Sequence, residues 1–130
     1  MPRHKLGARA KFRLQEGQRV TDSATLSVKF PRLKSLKVDL EYYTADGATR
    51  SSQIKYVVNL AHAKSVFRFD CLNKECVCGD FDLSEVLTKA VAARRPLETG
   101  EMRCQGWRNK DEIKKVYCRN ILRYKLHLAY

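Results

Sequence analysis

An antiparallel α+β fold is predicted by three features of the sequence. Residues 36–43 and 54–60 alternate apolar and polar side chains, as half-buried strands do. Residues 82–95 repeat their apolar side chains at helical spacing, between a capping signal and Pro96. A second long alternation, residues 116–130, closes the chain. In chain order the elements read α-β-β-β-α-β-β, giving an antiparallel sheet of about five strands with one main helix packed on one face. A chain of 130 residues holds this in one domain. The expected division is a flexible basic arm over residues 1–20 and a single α+β domain over 21–130.

Each element has its own signal. Residues 1–20 carry six Lys/Arg against one Glu and show no usable hydrophobic period. A short helix follows, with Asp22 or Ser23 as cap, Leu26 and Phe30 on one face, and Pro31 as stop. In the first strand Leu36, Val38, Leu40 and Tyr42 face inward, and Lys37, Asp39, Glu41 and Tyr43 face outward. Asp46-Gly47 marks a turn in a loop over residues 44–52, leading to a strand with Ile54, Tyr56, Val58 and Leu60 on one side. The segment SVFRFDC, residues 65–71, reads as a third strand with Phe67, Phe69 and Cys71 on one face.

The main helix has Asp82 as its expected N-cap, Glu85 completing a capping box, and Phe81 with Val86 as a hydrophobic staple. Leu83, Val86, Leu87, Ala90 and Val91 form its apolar stripe. Arg94 and Arg95 complement the macrodipole at its C-terminus. The segment GEMRCQGW supplies a fourth strand, NKDEIKK a polar connection, and VYCRNILRYKLHLAY a long fifth strand. Leu122, Tyr124, Leu126, Leu128 and Tyr130 face inward along that last strand.

Five cysteines carry the chemistry. Cys71, Cys76 and Cys78 lie within eight residues, and Cys104 and Cys118 follow on predicted neighbouring strands. A structural zinc takes four soft ligands, commonly two from a short loop and two from elsewhere. Strand parity puts Cys71, Cys104 and Cys118 on the apolar face. The expected ligand set for a structural Zn2+ is therefore Cys71, Cys76, Cys104 and Cys118, with Cys78 as the alternative to Cys76. The competing readings are ordinary buried thiols and reactive redox thiols. The odd cysteine count and the absence of an apolar leader point away from disulfides and toward a reducing, cytoplasmic setting.

The formal charge is +12. Residues 1–20 and 101–130 each contribute a net +5, so the excess sits at the two ends of the sequence. Such a field attracts a nucleic acid or an acidic protein surface. The outer sheet face is expected to carry Lys37, Lys55, His127, Arg68, Arg103, Trp107, Arg123 and Lys125, and the last five with Arg108 beside Trp107 form the candidate nucleic-acid-binding set. Trp107 and Tyr43 are the expected platforms for base stacking, each stack contributing roughly 1–3 kcal/mol. Asp39, Glu41 and Asp70 oppose that role on the same face. No apolar run is long enough to span a membrane. Phosphate-binding glycine loops and catalytic zinc motifs are absent, so neither an enzyme nor a small-molecule substrate is expected. The sequence thus predicts a small, basic, non-catalytic module stabilised by zinc and binding nucleic acid; the alternative is a protein-interaction or adaptor domain with reduced buried cysteines.

Overall fold

A computed structural model describes residues 7–73, 76, 77, 79–109 and 115–130. Its elements are α1 (Ala8–Asp22), α2 (Leu26–Lys29), β1 (Ser35–Tyr43), β2 (Arg50–Val57), β3 (Arg68–Asp70), β4 (Asp80–Asp82), α3 (Ser84–Ala92), β5 (Leu97–Arg103), β6 (Trp107–Asn109), β7 (Lys115–Tyr117) and β8 (Ile121–Ala129). The class is α+β, as the sequence predicts. The strands differ from the expected single sheet. Four form an antiparallel sheet in the order β2-β1-β8-β5, and the others form two-stranded ribbons, β3–β4 and β6–β7.

Alternation builds the large sheet. Leu36, Val38, Leu40 and Tyr42 of β1 are buried, and so are Leu122, Leu126 and Leu128 of β8 beside them. The register sets Val38 against Leu126 and Tyr42 against Leu122, so the two central strands present one apolar face. β2 joins β1 through the turn after Tyr43, where Gly47 takes φ 74°, a left-handed conformation that glycine adopts without a Cβ clash. β5 starts three residues before Gly100, which pairs with Tyr124. A Cβ at Gly100 would overlap the Tyr124 ring, so the glycine makes room for the aromatic across the strand.

The apolar stripe of α3 closes the core, with Leu83, Leu87 and Ala90 fully buried in the same cluster as the sheet. Its N-terminus corrects the expected cap. Leu83 takes the N-cap position, and Asp82 belongs to β4. The Asp82 carboxylate accepts the Ser84 N–H at 2.9 Å, while the Ser84 hydroxyl accepts the Phe67 N–H at 2.7 Å. The helix ends in a Schellman arrangement: Arg94 N–H donates to Val91 O at 3.0 Å, Arg95 N–H donates to Ala90 O at 2.9 Å, and Arg94 sits at φ 52°. No helix among the described residues is long and apolar enough to cross a membrane.

Two further expectations are corrected. The arm over 1–20 is not a coil along its length, because Ala8–Asp22 is helical. Phe12, Glu16 and Val20, four residues apart, are its half-buried side. A glutamate stands in the middle of that stripe, which hides the helical period from a hydrophobicity reading. The long last strand is also interrupted. Arg119 adopts φ 53° between β7 and β8, turning the chain just after Cys118.

Arg68 explains why Glu16 faces inward. Its guanidinium lies 3.2 Å from Glu16, 2.7 Å from Asp70 and 3.0 Å from Asp80, and it covers the Phe12 ring at 5.6 Å. Arg19 adds a second tie, bonding Glu16 at 2.7 Å and Asp82 at 3.0 Å. Burial alone would raise the Asp82 carboxyl. Bonds from Ser84 and Arg19 outweigh it and hold the group below the usual carboxylate range. Ion pairs therefore fasten α1 to the β3–β4 ribbon.

Candidate metal centre

The cysteines gather at the end of the large sheet where β1 finishes and β8 begins. Cys71 follows β3 directly, and Cys76 lies in the connection from β3 to β4. Cys104 is the first residue after β5, and Cys118 is the first after β7. Backbone bonds stitch these segments together. Cys71 N–H donates to Gly79 O at 3.2 Å, Cys104 N–H to Asn120 O at 2.8 Å, and Cys118 N–H to Gly106 O at 2.9 Å. Val77 and Trp107 exchange two backbone bonds, at 2.6 and 3.1 Å, tying the cysteine connection to β6.

The four sulfurs converge. All lie within 4.8 Å of one another. Cys76 and Cys104 Sγ are 3.5 Å apart, and Cys71 and Cys118 Sγ are 3.7 Å apart. Neither pair is bonded, since a disulfide holds its sulfurs at about 2.05 Å. A tetrahedron of thiolates at about 2.3 Å from a central ion has sulfurs about 3.8 Å apart. Four buried cysteines in this arrangement could hold a metal ion. Cys71, Cys76, Cys104 and Cys118, the set expected from spacing and parity, are thus brought together. Cys78, the expected alternative, lies outside the described residues.

Electrostatics and sterics both point at the centre of the cluster. The Cys104 thiol and burial push the Cys71 thiol far above the ordinary thiol range, and burial pushes Cys76 up to about 12. Four thiolates packed this closely repel one another, and a central cation removes that repulsion. Gly106 N–H donates to Cys104 Sγ at 3.3 Å, and the Asn73 amide nitrogen approaches Cys118 Sγ at 3.7 Å. Such donors stabilise negative charge on sulfur.

Gly79 and Gly106 are the residues whose role the sequence conceals. A Cβ on Gly79 would overlap Cys76 Sγ and stand 2.7 Å from Cys104 Sγ. A Cβ on Gly106 would overlap Cys76 Sγ and stand 2.6 Å from Gly79 Cα. In sequence they look like turn and strand-break residues. In space they leave the volume that the sulfurs fill.

The expected nucleic-acid set is scattered. Arg68 is a correction: its side chain is only 10 % exposed and holds three carboxylates beneath α1, away from the outer face of the large sheet. Arg103 lies on that face but donates to the Ala45 and Arg119 carbonyls. Arg123 sits 3.2 Å from Glu101 and 4.5 Å from the Tyr43 ring centre, and Lys125 is exposed between Asp39 and Thr99. Trp107 is half-buried in β6, beside the cysteines, and Arg108 follows it in that strand. No family model matches this chain, and neither the curated proteins nor the solved structures include a match.

Proposed function

We propose that this chain is a small non-catalytic module, held at one end by a structural Zn2+ on Cys71, Cys76, Cys104 and Cys118, that binds nucleic acid. The carrying observation is the tetrahedral spacing of four buried sulfurs. Four protein thiolates fill the coordination of zinc and leave no position for a reacting water, so the centre supports the fold and does no chemistry. Exposure of 1–7 % on the four described cysteines argues against a thiol sensor built on them, since a sensor needs an accessible thiolate. Ligation requires reduced thiols, which suits the cytoplasm. The net charge of +12 supports an anionic polymer as partner.

An adaptor reading is favoured by one observation. β2 is an edge strand, and Val57 on it is 80 % exposed, so another chain has a sheet edge to join. Native mass spectrometry with and without a strong chelator tests the zinc reading. One zinc per chain, lost together with thermal stability, is the expected result. A tetrahedral sulfur site also suits iron, so bound iron with visible absorption, or no metal and freely alkylated cysteines, overturns it. Copurification of a stoichiometric protein partner with no affinity for nucleic acid moves the function to the adaptor.

A further inference from the structure

The way the cations are partnered shows where a phosphate chain fits. Arg19, Arg68, Arg95 and Arg123 each hold a carboxylate. The outer face of the large sheet is laced in the same way. The register sets Lys55, Asp39 and Lys125 in one row and Glu41, Arg123 and Glu101 in the next. An approaching phosphate would meet Asp39, Glu41 and Glu101 there along with the cations.

The end of the sheet opposite the cysteines is different. Three segments meet there, residues 26–35, 58–65 and 93–97, and none contains an acid. Leu26 N–H donates to Ala63 O at 2.8 Å and Ser27 N–H to Leu60 O at 2.9 Å, which joins the first two. Lys34 N–H donates to Ala129 O at 2.8 Å and Leu128 N–H to Pro96 O at 2.9 Å, which sets the first and third on either side of the end of β8. These segments bring Lys29, Arg32, Lys34, Lys64 and Arg94 to one end of the molecule. Lys29, Arg32, Lys34 and Arg94 are exposed, and Lys64 is half-buried. None of the five pairs with a carboxylate among the described residues. Arg94 carries a further mark, since it holds the left-handed position that closes α3, where glycine fits without strain.

We propose that this end, formed by Lys29, Arg32, Lys34, Lys64 and Arg94 and bordered by Glu98, which Arg95 holds, is the surface that takes the phosphate backbone of a nucleic-acid strand. The inference rests on the nucleic-acid reading above and places its contact surface. Phosphate contacts of this kind position a strand without reading its sequence. The metal then acts at a distance, holding the opposite end of the sheet.

Fluorescence anisotropy with a labelled single-stranded oligonucleotide of mixed sequence, across a salt series, tests the placement. Three proteins are compared: the full chain, a variant with Lys29→Ser, Arg32→Ser, Lys34→Ser and Arg94→Gly, and a variant losing the same charge on the sheet face through Lys37→Thr, Arg50→Thr, Lys55→Thr and Lys125→Thr. Glycine is chosen at 94 because it keeps the φ 52° backbone. Loss of four phosphate contacts lowers the slope of log K against log salt by about 3, with roughly tenfold or greater loss of affinity. The sheet-face variant is expected to lose distinctly less. Equal loss in both variants, or an unchanged end variant, overturns the placement while the nucleic-acid reading stands. A full chain that ignores the oligonucleotide at low salt but binds polyglutamate removes both. Should the fourfold end variant fail to melt like the parent, Arg32→Ser alone decides the matter, with an expected slope change of about 0.7.

Discussion

β1 and β8 pair without a break from Ser35 opposite Ala129 to Tyr43 opposite Ile121. The ribbons β3–β4 and β6–β7 pair over three residues each. The long pair buries leucine after leucine, and each large side chain contributes roughly 1.5–3 kcal/mol to folding. The ribbons bury Phe81, and the four buried thiols lie just outside them, after β3, β5 and β7 and in the connection from β3 to β4. A two-stranded hairpin standing alone is marginal in water, and ribbons this short need something besides their own ladder. On the zinc reading proposed above, that role falls at the cysteine end to a metal held by the four sulfurs. At the other end of the sheet, burial suffices. On that reading the β1–β8 half is held by water leaving apolar surface, and the cysteine half by metal–sulfur bonds added to its share of the same core.

Metal removal breaks this contrast most strongly. A structural zinc contributes on the order of 10 kcal/mol to the state that binds it. Chelation is expected to strip hydrogen-exchange protection from β3, β4, β6 and β7 while β1 and β8 keep theirs. If β1 and β8 lose protection at the same chelator concentration, the two halves are one cooperative unit.

A cut in the apolar half is the reciprocal experiment. Leu126 is fully buried in the central strand, and Leu126→Ala is expected to cost about 3 kcal/mol in urea unfolding. One metal per chain should remain in the folded variant by native mass. Loss of the metal at full folding would mean that the leucine face also positions the sulfurs.

The smallest effect concerns α1, which belongs to neither half and is tied down by Arg68 and Arg19. Gly17 lies inside this helix, and a Cβ there would meet nothing within 4 Å. Gly17→Ala should stabilise it by about 0.5–1 kcal/mol, with a matching rise in far-ultraviolet helicity. No change in either signal would show that the segment spends little time helical in solution.

The same contrast marks what could be read in advance. The faces of β1 and β8 were legible because strand geometry sends alternate side chains to opposite sides, and the sequence alternates from Leu36 to Tyr43 and from Leu122 to Tyr130. The stripe of α3 was legible at its own period. Convergence of Cys71, Cys104 and Cys118 was inferred from parity, and Cys76 was added from its loop spacing to Cys71. These four do converge, although Arg119 breaks the strand through which parity was carried. Arg68 misled because alternation placed it outward while Glu16, fifty-two residues earlier, draws it beneath α1. The helix α1 escaped notice because its inward stripe mixes Phe12 and Val20 with that glutamate.

By itself, then, the sequence determined which side chains face the core along β1, β8 and α3, since that depends only on the local repeat of the backbone. Tertiary structure alone decided which cations stay unpaired, why Gly79 and Gly106 lack side chains, and that α1 has a docking site. Those outcomes depend on atoms brought into contact from distant parts of the chain, and no local period encodes them.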